Sequence, residues 1–145
     1  VTVRIRLTGS DALQAALREA SGDVRAAVAR EVTATAIRLR KDIVRSIQRG
    51  PASGETYVKY KPRRVHTASA PGQAPASDTG RLANSIEWDV MGPMTATVGS
   101  KLAYAVHLEY GTRKMAARPF FRPAVERMRK QFNARLNAAI SGALK

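Results

Sequence analysis

The sequence predicts an α+β domain, a small and mostly antiparallel sheet flanked by a long N-terminal helix and a C-terminal helix. Three observations predict it. Apolar residues recur at threes and fours between residues 23 and 49 and again between 119 and 144, the spacing of a helical face. At the start of the chain and around residues 86–98 they alternate with polar ones, the period of a half-buried strand. Strands and helices do not alternate in sequence as βαβ units require, and no internal repeat is visible.

Composition bounds the rest. At 145 residues the chain is expected to form one domain, 1–145, long enough to bury a core. A hydrophobic fraction of 44% argues against wholesale disorder. No segment approaches the roughly 18–20 continuous apolar residues that span a bilayer, and no signal-peptide pattern opens the chain. It therefore reads as soluble and unexported, with no membrane partner. The absence of cysteine removes disulfides, thiolate metal sites and a cysteine nucleophile together.

Charge is the informative quantity. Lys and Arg number 25 against 11 Asp and Glu, a net +14. Solubility asks for a net charge of only about 2–8 in a small domain. The excess opposes folding through self-repulsion and points to a polyanionic partner or an acidic protein neighbour. Arginine, which dominates here, suits fixed ion pairs and phosphate forks.

Along the chain, "VTVRIRLTG" alternates Val1, Val3, Ile5 and Leu7 with Thr2, Arg4, Arg6 and Thr8, a strand. Ser10 or Asp11 then caps a short helix, "ALQAALREA", which breaks at Ser21-Gly22. The long helix runs from Asp23 to about Arg49, with Val28, Val32, Ala36, Leu39, Ile43 and Ile47 as its apolar stripe. Arg38, Lys41, Arg45 and Arg49 follow the same steps on the opposite side, with only Asp42 nearby to balance them. That ridge is either a solvated face or one made to meet acid or phosphate. Gly50 and Pro51 end the helix as a glycine C′ position and a following proline would.

Residues from about 51 to 78 read as a long flexible loop or arm, rich in Pro, Ser, Ala and Gly. Within it "KYKPRRVH" places Tyr57 and Tyr60 beside Lys59, Lys61, Arg63 and Arg64. Those residues could stack on and pair with a nucleic-acid strand, or serve only as solvating charge. Thr79 is placed to cap a short helix in "GRLANSI". A hairpin follows: Ile86, Trp88 and Val90, a turn at Gly92-Pro93, then Met94, Ala96 and Val98. Trp88 is expected in the core. "LAYAVHLEY" is a short amphipathic helix ended by Gly111, and the last helix runs from about Pro119 to Leu144. Its stripe is Val125, Met128, Phe132, Leu136 and Ile140.

A search for chemistry finds no catalytic constellation. His66 and His107 stand far apart, and no acidic cluster offers a metal site. No phosphate loop, nucleophile elbow or carboxylate pair suited to acid–base work occurs. A helix-turn-helix around "SDALQAALREASGDVRAAVAREV" is conceivable, but the apolar stripe of its second helix is too long and its basic ridge lies at the far end. An enzyme is not expected.

Two stretches carry a resemblance. "APGQAPASDTGRLANSI" resembles the G-x-x-P…TG-x-L-x-x-SI signature of the tail-completion, or head–tail joining, proteins of long-tailed bacteriophages. "YAVHLEYGTRKMAARPFFRPAVE" is similar to the same family's E-[YF]-G-T…A-R-P-[FM]-[FL]-R-P-A block. Together they cover roughly residues 71–126 in the expected order. The resemblance implies a minor tail protein of the virion neck that requires no cofactor. It implies a homo-oligomeric ring, a hexamer, at the head-proximal end of the tail. Its partners would be the head connector or stopper protein, the tail tube protein and, in transit, viral DNA. It would assemble in the host cytoplasm and end in the virion.

On that reading Glu109, Tyr110, Gly111, Arg118, Pro119, Phe120, Phe121 and Arg122 form a subunit interface. Adjacent residues at a helix start diverge by about 100°, so one phenylalanine is expected in the core and the other free to dock. Arg113, Lys114, Arg118 and Arg122 would make inter-subunit ion pairs or line the DNA passage. Arg38, Lys41, Arg45, Arg49, Lys59, Lys61, Arg63 and Arg64 would face DNA or an acidic partner. A channel that DNA must traverse calls for weak, salt-sensitive and sequence-blind contact. The alternative is a sequence-non-specific nucleic-acid-binding protein.

Overall fold

The computed structural model describes residues 2–6, 15, 18–92 and 94–144. Its elements are β1 (Thr2–Arg6), α1 (Gly22–Arg49), β2 (Thr56–Tyr60), β3 (Arg63–Thr67), α2 (Arg81–Asn84), β4 (Ile86–Gly92), β5 (Thr95–Ser100), α3 (Tyr104–Tyr110) and α4 (Arg122–Ala143). Most of the expected helix "ALQAALREA", with its Ser10 or Asp11 cap, lies outside the described residues, as does Pro93 of the β4–β5 turn. The fold is α+β, as the periodicities predict.

β1, β5 and β4 form one antiparallel sheet in that order, with Val98 opposite both Val3 and Trp88. α1 crosses β4 and β5 and packs along α4. The stripe explains why: Val28, Val32, Ala36, Leu39, Ile43 and Ile47 are all buried, and burying each large aliphatic contributes about 1.5–3 kcal/mol. Ser21 opens α1, its Oγ accepting the Val24 N–H at 3.4 Å, and Asp23 sits favourably in the positive first turn.

Gly50 ends α1, but not in a left-handed conformation. Its φ of −63° and ψ of 154° are extended. Glycine is required there for space, because a Cβ would fall 2.4 Å from the Ser46 carbonyl oxygen.

Two expectations change. Trp88 is not core: it is 38% exposed. Its strand partner Val98 is fully buried, but β4 is the outer strand of the sheet. Among β4 residues only Ile86, whose carbonyl accepts from Arg40 Nε at 2.8 Å, is buried. The arm is not structureless either. β2 and β3 pair antiparallel as a two-stranded sheet of their own, with Val58 opposite Val65 and Tyr60 opposite Arg63. Its Thr, Tyr and Val residues favour strands; the Lys, Arg and Pro around them obscure the alternation.

α4 starts at Arg122, three residues later than Pro119, with Pro123 in its first turn where a missing N–H costs least. Of its stripe Leu136 is buried, while Val125, Met128, Phe132 and Ile140 pack against the core partly exposed.

Candidate functional site

The motif block around residues 104–126 folds into a corner built on one carboxylate. α3 ends at Gly111, whose φ of +77° few L side chains adopt. Added bulk would also collide, since a Cβ there would lie 2.8 Å from the Met115 carbonyl oxygen and 2.9 Å from the Ala117 nitrogen. The chain then closes a tight loop, Thr112 N–H to Met115 carbonyl at 2.8 Å, and returns antiparallel to α3. The Arg118 N–H donates to the Leu108 carbonyl at 2.7 Å, and the Gly72 N–H to the Ala117 carbonyl at 2.9 Å.

That return brings the start of α4 onto Glu109. Glu109 Oε2 accepts the N–H groups of Phe120 at 2.8 Å and Phe121 at 2.9 Å, and Oε1 accepts that of Arg122 at 2.8 Å. The residue is only 5% exposed. A buried carboxylate is tolerated when its lone pairs are filled and positive charge lies opposite. Here both conditions come from the amino end of α4, which has no side-chain cap and no acidic residue in its first turn. Glu109 acts as that missing cap from another helix.

Both phenylalanines are therefore core. Phe120 and Phe121 are each 1% exposed, and their rings lie 4.9 Å apart at 51°. The expectation that one would be free to dock is corrected. The helix begins only at Arg122, so helical divergence does not govern this pair, and Glu109 draws their backbone inward. Glu109, Phe120 and Phe121 thus support the corner and do not present its surface. Gly111, Arg118 and Pro119 are half-buried. Tyr110 is exposed, with the Arg122 guanidinium 5.9 Å above its ring, and Arg113 and Lys114 are also exposed.

The basic residues divide into paired and unpaired. On α1, Arg38 bonds Glu31 at 2.7 Å, and Asp42 is taken by Arg127 of α4 at 2.9 Å. Lys41, Arg45 and Arg49 are exposed with no ion pair among the described residues. On the hairpin, Lys59 and Arg64 both bind Asp78, the latter at 3.3 Å, with His66 Nδ1 at 4.0 Å. The hydrogen bond from Lys59, followed by the nearby Arg64 charge, holds the Asp78 carboxyl below its ordinary pKa. Lys61 and Arg63 stay exposed and unpaired among the described residues.

A cavity of about 240 Å³ lies behind the hairpin base, lined by His66, Ser69, Asp78, Tyr104, Leu108 and Arg118 among others. The buried Ser69 hydroxyl and the Arg118 Nε have no hydrogen-bond partner among the described residues. Among the described residues no group of three or more His, Cys, Asp or Glu could hold a metal, and no helix is long and apolar enough to cross a membrane.

Reading by sequence placed Glu109 at a subunit interface without its role as a cap, and did not single out Asp78. The signal for Glu109 was available: a lone acid on α3 ahead of a helix start with no acid of its own.

The Glu109 corner is built around contacts that hold backbone. The chain belongs to the HK97-gp10-like family, described as "Bacteriophage HK97-gp10, putative tail-component", whose model matches residues 9–111. It is a phage tail component and so a protein of the virion. No curated protein and no solved structure gives a significant match.

Proposed function

We propose that this tail component is a structural protein of the phage neck. It forms a homo-oligomeric ring, a hexamer, at the head-proximal end of the tail, completes the tail and joins it to the DNA-filled head. Its partners are then the head connector or stopper protein and the tail tube protein, and it assembles in the host cytoplasm. The observation that carries the reading is the Glu109 corner. The E-Y-G-T…A-R-P-F-F-R-P-A block that resembles head–tail joining proteins is the segment that Glu109 holds in shape. Held so, it presents Tyr110, Arg113, Lys114 and Arg122 outward on a stiff support.

The unpaired Lys41, Arg45 and Arg49 favour transient contact with DNA, because exposed cations at helical spacing attract phosphate without reading bases. A non-enzymatic role is part of the proposal. His66 and Asp78 share a cavity with Ser69, but the Ser69 hydroxyl makes no bond to the imidazole and Asp78 is occupied by Lys59 and Arg64.

Electron microscopy of a lysate with this gene interrupted tests the reading. DNA-filled heads beside unjoined or abnormally ended tails are expected. Normal, joined virions would overturn it and favour the general nucleic-acid-binding alternative.

A further inference from the structure

Two strand edges of this chain match each other. Among the described residues the β2–β3 hairpin is a sheet of two strands, and an isolated hairpin is marginal in water. Its face toward Asp78 carries Lys59, Arg64 and His66. Strand alternation puts Val58, Tyr60 and Val65 on the other face, and they are 44%, 77% and 67% exposed. Aromatic and β-branched side chains left in water on a lone hairpin call for a covering surface.

β4 is the matching edge. It has β5 on one side and, among the described residues, no strand on the other. Trp88 and Val90 share one of its faces, directly opposite the buried Val98 and Ala96, yet remain 38% and 43% exposed. The other face carries Glu87 and Asp89, two of only 11 acidic residues in the chain. Glu87 bonds Lys101 at 2.7 Å, both groups well exposed, and Asp89 accepts the N–H of the adjacent Val90 at 2.8 Å.

We propose that the β2–β3 hairpin of one copy joins the β4 edge of a second copy, β2 beside β4, extending the sheet across the subunit boundary. This rests on the ring reading and names the surfaces that close the ring. The match holds on both faces. β2 reads Val58-Lys59-Tyr60 at its end, with Lys61 next in the turn, and β4 reads Glu87-Trp88-Asp89-Val90. With the apolar faces aligned antiparallel, Val58 and Tyr60 lie beside Val90 and Trp88, while the exposed Lys61, just past the strand, comes beside Glu87. Cross-strand pairs of these types are favourable, and like charges there would not be. The backbone groups along both free edges gain partners as in strand addition. Because the joining surfaces differ, the contact is heterologous and generates a ring when its rotation closes.

The chain has no cysteine, so no native thiol competes with introduced ones. Val58→Cys and Val90→Cys chains are prepared separately, mixed at concentrations where the mass indicates oligomers, and oxidised; the double variant is also examined in virions. The expected result is heterotypic dimers from the mixture and a ladder from the double variant, lost when Glu87→Lys and Asp89→Lys are added. Oligomers or necks of normal mass with no 58–90 link would overturn the hairpin contact and leave the ring standing. Homotypic Val58→Cys dimers, or a 58-linked adduct with a different virion protein, would overturn it in favour of a symmetric contact or another occupant. A chain that is monomeric in solution and forms no ladder in virions also overturns it; the interrupted-gene lysate then decides the neck role separately.

Discussion

Glu109 holds the backbone of Phe120, accepting its N–H at 2.8 Å across 11 residues of sequence. The same oxygen takes Phe121, and the other takes Arg122. One side chain therefore joins α3 to α4 and turns two aromatic rings into the core. The consequences can be measured.

Glu109→Ala should lower the stability of the free subunit by about 2–4 kcal/mol, since it leaves buried N–H donors without an acceptor. Glu109→Gln should cost less, because its amide oxygen still accepts while its NH₂ faces a donor. Urea unfolding of the three proteins checks the order. A loss below about 0.5 kcal/mol for the alanine variant, the range of ordinary surface changes, would remove the clamp.

Phe120→Ala and Phe121→Ala should each cost about 3–5 kcal/mol, the range for emptying an aromatic core site. The loss belongs to the isolated chain, with no partner present. A variant of full stability that fails only in assembly would instead identify an interface residue.

Gly111→Ala should destabilise by at least about 1–3 kcal/mol, the cost of a strained backbone. The near contacts with the Met115 oxygen and Ala117 nitrogen, at 2.8 and 2.9 Å, are backbone and cannot rotate away. Thermal unfolding would show it, and a neutral result would mean that the loop relaxes freely.

The hairpin tether should depend on pH. Asp78 has its pKa lowered in the folded chain, first by the Lys59 hydrogen bond. A depressed carboxyl contributes stability above its unfolded pKa, and that contribution is lost as pH falls through the folded value. The tether should therefore hold at neutral pH and release only in acid, below the ordinary Asp range. Hydrogen-exchange protection of β2 and β3 should fall there, and Asp78→Asn should reproduce the fall at neutral pH. Protection unchanged in both cases would show that Asp78 does not hold the hairpin.

Duplex DNA should bind the free protein weakly, without sequence preference and with steep salt dependence. Replacing Lys41, Arg45 and Arg49 by Ala should flatten the plot of log K against log salt by up to about 2.7, from a slope near 0.9 per phosphate. Nanomolar affinity for one sequence at physiological salt would contradict the neck reading and indicate a regulator.

Both long helices, the β4–β5 hairpin and the buried face of α1 were legible in the order of residues, because periodicity is a local property that burial of one face imposes on neighbours in sequence. Trp88 was not, since its exposure depends on β4 having no further strand beyond it among the described residues. Nor were the β2–β3 pairing and the Asp78 tether, where ionic groups hid a weak alternation and the holding carboxylate lies 19 residues from Lys59. The linear chain carried the family motif, the charge excess and the helical stripes. Only the fold decided that Glu109 and both phenylalanines turn inward. A helix's amino-terminal N–H groups must find an acceptor, and which side chain supplies it is a matter of what the return of the chain brings within hydrogen-bonding distance.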